Sequence, residues 1–207
     1  MRLLPATHAG LEEAARLIRS GCVVAYPTET VYGLGVDPFS RDAIGALFEI
    51  KGRAENQPVL LVAADEKQVR RVAPNVSAAA AAFMRAFWPG PLSLALPKTP
   101  ALPDELCAGL PKVCVRIPAC ETARTLCRLC GVPITSTSAN RSGEAPARMS
   151  DEIKLCGVEA CIDGGKLEPS LPSTVFDPDS GEILREGAIN REMLRRVAET
   201  LGLSLHP

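Results

Sequence analysis

The sequence predicts an α/β fold: a twisted mixed parallel/antiparallel sheet flanked by helices, with a central concave ligand cleft. Three observations predict it. Short apolar runs such as Val23-Val24-Ala25-Tyr26 and Val59 to Ala63 suit buried strands. Segments of helical periodicity alternate with them, as α/β architectures require. Some strand candidates are separated only by a tight turn, as around Asp177 to Gly181, and that spacing requires antiparallel pairing within the sheet.

Each element has a local reason. Thr7 can cap a helix from about Ala9 to Ser20, with Leu11, Ala14, Ala15 and Ile18 inward and Gly21 as its stop. A strand from Cys22 to Tyr26 ends at Pro27, and a short glycine-broken strand spans Val31 to Val36. Ser40 can cap a helix from Arg41 to about Ile50, with Ile44, Leu47 and Phe48 facing the core. Val59 to Ala63 reads as a central strand. Asp65 starts a helix to about Val72, Pro74 breaks it, and another helix covers about Val76 to Phe87. Trp88-Pro89-Gly90-Pro91 is a rigid turn before a strand from Ser93 to Leu96. Val113 to Ile117 alternates, so Arg116 faces either a cavity or solvent. A helix follows over Glu121 to Cys130, stopped by Gly131, then a strand over Val132 to Thr135. Met149 to Leu155 is expected as a short helix and Ala160 to Ile162 as a strand. Ser173 to Phe176 and Glu182 to Arg185 form a hairpin, and Asn190 caps a last helix over about 190–201.

The chain has 207 residues, 46% of them hydrophobic, enough for one sizeable core, so residues 1–207 are expected to form a single domain. The formal net charge of -1 argues against strong sequence-independent binding of nucleic acid, which needs a basic surface, though a local basic cleft with weak RNA binding stays open. The longest apolar stretch, Ala78 to Met84, is far too short to span a bilayer, so no membrane association is expected. The start, MRLLPATHAG, has no apolar targeting core. Eight cysteines without such a segment point to a reducing, cytoplasmic setting, with the thiols as small core residues. Cys127 and Cys130 form one CxxC with no second pair, and the two histidines lie near the ends. No protein-built metal site is therefore expected.

Three polar islands look like site material. The first is Thr28-Glu29-Thr30 with Tyr32, Gly33 and Gly35, followed after a helix by Lys51 and Arg53. The second is Ser136-Thr137-Ser138-Ala139-Asn140. The third is Pro172 to Val175 with Arg185. Taken singly, each has a plainer reading: a solvated helix end, sheet hydroxyls, or a cap-and-turn cluster. Tyr32 and Trp88 can equally be packing residues. Three islands at the ends of separate strands can converge in one crevice, where hydroxyls, amides and cations would hold a small anionic ligand. No Walker-type loop, dinucleotide fingerprint or catalytic triad is present, so a nucleotide would be held in an uncommon manner. Without a nucleophile beside a base, catalysis would rest on positioning and charge stabilisation.

The motifs also occur in a recognisable order. Pro27-Thr28-Glu29-Thr30-Val31-Tyr32-Gly33-Leu34, Lys51-Gly52-Arg53, Trp88-Pro89-Gly90-Pro91-Leu92-Ser93, and Ser136-Thr137-Ser138-Ala139-Asn140-Arg141-Ser142-Gly143 resemble successive signatures of the YrdC-like family. So do Asp163-Gly164-Gly165, Pro172-Ser173-Thr174-Val175-Phe176-Asp177 and Leu184-Arg185-Glu186-Gly187. The resemblance runs from about Leu11 to Gly187 and is to the short, bacterial-type form without the extra C-terminal domain.

This resemblance implies a single YrdC-like domain that makes L-threonylcarbamoyladenylate from L-threonine, bicarbonate and ATP, releasing pyrophosphate and water. The product serves the threonylcarbamoyl (t6A) modification of tRNA position 37. It further implies Mg²⁺ carried with ATP, and transient contact with the tRNA threonylcarbamoyl-transfer machinery. By the same resemblance Lys51 and Arg53 are catalytic and also bind the nucleotide with Ser136, Ser138, Asn140 and Arg185, while Thr30, Tyr32 and Arg116 bind threonine. Two other functions of the same fold compete: double-stranded RNA binding in ribosome maturation, and carbamoyl transfer as in hydrogenase-maturation proteins. Two departures stand out. No histidine occurs in Leu60 to Ala64, and Glu186 replaces the family's usual proline beside Arg185, where it is expected to point outward.

Overall fold

The structure is a computed structural model and describes residues 1–52 and 57–206. Along the chain the elements are β1 (Arg2–Pro5), α1 (His8–Arg19), β2 (Val23–Pro27), β3 (Tyr32–Gly35), α2 (Arg41–Lys51), β4 (Leu61–Val62), α3 (Glu66–Val72), α4 (Ala78–Phe87), β5 (Leu92–Pro97), β6 (Lys112–Arg116), α5 (Glu121–Cys130), β7 (Ile134–Thr135), β8 (Thr137–Ser138), β9 (Val158–Asp163), β10 (Thr174–Asp177), β11 (Glu182–Arg185) and α6 (Arg191–Thr200). The expected mixed pairing is present, divided between two sheets. One has the strand order β1-β9-β2-β3-β8 and the other β11-β10-β5-β6-β4-β7. In the first, β2 runs parallel to β9 and antiparallel to β3. In the second, β5 runs parallel to β10 and antiparallel to β6.

Strand alternation sorts the side chains into two cores. Val24 and Tyr26 of β2, with Ala160 and Ile162 of β9, pack under α1 and α5. Val23, Ala25 and Cys161 face the larger core, which also takes Leu92, Leu94 and Leu96 of β5 and the apolar faces of α2, α4 and α6. The helices start where hydroxyl and amide side chains predict. Thr7, Ser40 and Asn190 each accept a backbone N–H of the first turn.

Three local expectations change. The strand expected over Val59 to Ala63 contracts to Leu61–Val62: the Val59 amide leaves the ladder to donate to Leu106 O (2.9 Å), while the Ala63 amide still reaches Arg116 O of β6 (2.9 Å). The helix expected from Met149 is a single 3-10 turn, Ser150–Glu152. β1, which the sequence reading left out, pairs in parallel with β9 at the sheet edge.

The eight cysteines are free thiols. Burial pushes Cys107 and Cys114 up to about 11, which suits packing rather than reactivity. None of the described helices is long and apolar enough to cross a membrane.

The two sheets meet at a seam. Tyr26, fully buried, donates its hydroxyl to Thr135 O (2.8 Å). The Thr135 hydroxyl donates to Leu34 O (3.0 Å) and accepts from the Val36 amide (2.9 Å), so β7 of one sheet is tied to β3 of the other. The chain then crosses over. The Ser136 amide donates to Leu60 O (2.7 Å) and the Ala139 amide to Tyr32 O (2.8 Å). The segment from Ser136 to Asn140 is therefore fixed where strand ends of both sheets converge.

Candidate functional site

A cavity of about 460 Å³ opens at this seam. Thr28, Thr30, Arg116, Ser136, Ser138, Ser173 and Arg185 line it, with Leu60, Arg148 and Ser170. All three polar islands thus contribute to one hollow. An adjoining, more apolar hollow of about 560 Å³ shares Pro58, Leu60 and Arg185 and is floored by Ala95, Cys114 and Val175.

The first island is a hydroxyl turn between β2 and β3. Thr28 Oγ1 donates to Val31 O (2.7 Å) and accepts from the amides of Thr30 and Val31 (both 3.2 Å). The Thr28 and Thr30 hydroxyls also lie 3.0 Å apart, close enough to share a hydrogen bond in which either can donate. Thr30 lines the cavity. Arg116, which alternation left open between cavity and solvent, lines the cavity and is 3% exposed. Its Nη1 donates to Glu29 Oε1. Arg116 Nε and Glu29 Oε2 are both buried without a partner.

The second island is held from below. Lys51 is 3% exposed at the end of α2, and its Nζ donates to Ser138 O (2.6 Å), Asn140 O (2.8 Å) and Asn140 Oδ1 (3.3 Å). Gly52 ends the helix in the left-handed region, which lets the chain turn away directly after Lys51. Asn140 uses its amide group on Arg141 O (3.0 Å) and Glu144 O (2.6 Å). Lys51 and Asn140 thus lie behind the cavity wall that Ser136 and Ser138 form. Arg53 lies outside the described residues.

The third island converges on Ser173. Arg185 donates from Nη2 to Ser173 O (2.8 Å) and Oγ (3.1 Å), and Ser93 also donates to Ser173 Oγ (3.1 Å). Desolvation lowers the Arg185 pKa from its ordinary value, and neighbouring Arg116 acts in the same sense. The guanidinium nonetheless stays charged at neutral pH. Glu186 accepts from the Arg191 amide at the start of α6 (3.0 Å), away from the cavity, as expected. Gly187 packs against the Pro172–Ser173 backbone that leads into β10, and a Cβ there would sit 2.1 Å from Pro172 O. Gly187→Ala is therefore expected to displace the Pro172–Ser173 backbone and cost about 2–3 kcal/mol in urea unfolding. A change below about 0.5 kcal/mol would show that this turn yields freely.

Tyr32 requires a correction. It was expected in the amino-acid pocket, but its hydroxyl donates to Gly165 O (2.9 Å) and accepts from the Gly164 amide (2.9 Å), and it does not line the cavity. It anchors the Asp163–Gly165 turn instead, and burial raises its pKa to about 12. Sequence reasoning missed Arg148 and Ser170. Arg148 sits in a loop without periodicity, yet its carbonyl accepts from the Leu167 amide (2.9 Å) and its amide donates to Glu152 Oε2 (2.6 Å). Ser170 donates to Thr30 O (3.2 Å) and closes the rim. Neither the Arg148 nor the Arg185 guanidinium forms an ion pair with a carboxylate among the described residues. The cavity therefore holds three arginines, with one carboxylate behind them.

Comparison with known proteins places the chain in a family. Residues 16–187 match the Sua5/YciO/YrdC family, described as "Telomere recombination". The chain is 39% identical over 178 residues to the threonylcarbamoyl-AMP synthase of Methylococcus capsulatus, covering 84% of this chain and 96% of that protein. It is 36% identical over 199 residues to the threonylcarbamoyl-AMP synthase of Pyrococcus abyssi, covering 94% of this chain but only 58% of that protein. The crystal structure of P. abyssi Sua5 complexed with L-threonine superposes with a TM-score of 0.92 at 34% identity, over 100% of this chain and 63% of that one.

Proposed function

Because this chain belongs to the Sua5/YciO/YrdC family, we infer that it is a threonylcarbamoyl-AMP synthase acting on L-threonine, bicarbonate and ATP. The observation that carries the reading is the convergence of Thr30, Ser136, Ser138, Arg116 and Arg185 on one hollow at the sheet seam. The reaction joins the threonine amine to the carbon of bicarbonate as a carbamate, with a bicarbonate oxygen leaving as water. A carbamate oxygen then attacks the α-phosphorus of ATP, and the α–β phosphoanhydride bond breaks to release pyrophosphate. Negative charge accumulates on phosphate oxygens throughout. Arginines and fixed hydroxyls in a confined cleft can neutralise and orient it without a covalent intermediate. Lys51 supports this by fixing the Ser138–Asn140 backbone, and Arg53 is proposed to add charge on the phosphate side. The apolar floor of the adjoining hollow suits a purine ring.

Mg²⁺ fits this site as a passenger on ATP. No group of three His, Cys, Asp or Glu able to hold a metal occurs among the described residues, and no carboxylate lines the cavity. A divalent ion would therefore be held chiefly by phosphate oxygens and water. The product is proposed to pass, in the cytoplasm, to a separate enzyme that transfers the threonylcarbamoyl group to adenosine 37 of tRNA.

The test is a substrate-omission assay of pyrophosphate release with Mg²⁺ present. Release is expected only when ATP, L-threonine and bicarbonate are all supplied. ATP left intact by folded protein in the complete mixture would overturn the assignment. Salt-sensitive binding of duplex RNA that ATP does not alter would favour the RNA-binding alternative instead.

A further inference from the structure

Glu29 lies on the turn between Thr28 and Thr30, both of which line the cavity. It pairs with Arg116, which is 3% exposed, through a single Nη1–Oε1 bond. A guanidinium and a carboxylate usually satisfy each other through two parallel bonds. Here Arg116 Nε and Glu29 Oε2 are buried without partners. The carboxylate therefore holds the guanidinium through Nη1, at the wall of the cavity that Arg116 lines. The pair as a whole is neutral, and the Thr30 hydroxyl, which lines the same cavity, can accept a hydrogen bond. Donors from Arg116 next to an uncharged acceptor suit a zwitterion, whose carboxylate and ammonium need opposite partners. A polyphosphate would be better served by Arg148 and Arg185, which no carboxylate of the described residues neutralises.

We propose that Glu29 is a positioning residue that aims Arg116 and makes the Thr28–Thr30 end of the cavity selective for the amino-acid substrate. The proposal rests on the synthase reading above and adds to it the residue that separates the two substrate subsites.

The test measures pyrophosphate release by Glu29→Gln while threonine and ATP are varied in turn. The threonine KM is expected to rise about tenfold or more, with the ATP KM within about twofold of wild type. Glu29→Asp, which keeps the charge on a shorter stem, is expected to fall between the two. A general loss of structure would instead lower kcat and raise both KM values together. A threonine KM within twofold of wild type, or equal rises for both substrates, would overturn the proposal. If Glu29→Gln shows no cooperative unfolding, Glu29→Asp alone decides by the same split. Wild-type protein that releases no pyrophosphate with all three substrates would fail the synthase reading itself, a separate outcome from an active wild type with an unaltered Glu29→Gln.

Discussion

Replacing Lys51 with methionine is expected to reduce threonine-dependent pyrophosphate release by on the order of 100-fold or more, and to lower stability by about 2–3 kcal/mol. Methionine retains the length of the side chain but donates nothing. In the native protein the ammonium reaches Ser138 O (2.6 Å), Asn140 O (2.8 Å) and Asn140 Oδ1 (3.3 Å). It also sits in the last turn of α2, where a cation is favoured by the helix dipole. Without it, buried carbonyls lose a charged donor, and the Asn140 side chain loses the contact that orients its oxygen. The stability cost follows from those acceptors. The activity cost follows from geometry: Ser136 and Ser138 line the cavity on the segment that Lys51 holds, and a displacement of about 1 Å in a positioned site costs about 100-fold. Arginine is not expected to restore function, because its planar fork does not match three convergent acceptors around one nitrogen. Steady-state rates and urea unfolding check both parts. Activity within threefold of wild type would show that the segment is positioned without Lys51.

The parts of the molecule legible in its sequence are those set by nearest neighbours in the chain. The caps at Thr7, Ser40 and Asn190 announce their helices because a hydroxyl or amide oxygen meets an N–H only a few residues away. The β10–β11 hairpin is readable for the same reason, since its turn lies within the segment it connects. The seam between the sheets is not local. The Tyr26–Thr135 hydrogen bond spans 109 positions and the Arg116–Glu29 pair spans 87, and no periodicity encodes either. Alternation along β6 left two directions for Arg116, and only the second sheet's placement chooses the cavity. Motif resemblance carried proximity further than direction. It brought Lys51, Ser138 and Asn140 together, and they do meet, but with the ammonium directed at the loop backbone. It also brought Tyr32 to the site, where the hydroxyl serves a neighbouring turn. Arg148, in a stretch without pattern or capping signal, had nothing local to mark it.

The other large effect concerns the Glu29–Arg116 pair as a structural element. Arg116→Met is expected to destabilise the fold by about 3 kcal/mol, because it leaves the Glu29 carboxyl group in a mostly buried position with no cation beside it. The Glu29 side chain is 20% exposed, so partial hydration keeps this loss at the lower end of the range for broken buried pairs. Removing both charges, with Glu29→Leu and Arg116→Met together, should recover most of that stability. Two apolar side chains of similar volume need no desolvated ions and leave no orphaned atoms such as Arg116 Nε and Glu29 Oε2. Catalysis should not recover with it, since the guanidinium that faces the cavity is gone in both variants. Urea midpoints at constant m-value, measured alongside pyrophosphate release, separate the two consequences. A double variant no more stable than Arg116→Met alone would mean that the pair's packing, rather than its charge, supports the seam. A double variant with near-native activity would mean that the cavity works without Arg116, leaving Arg185, Arg148 and the hydroxyl turns to hold the substrates.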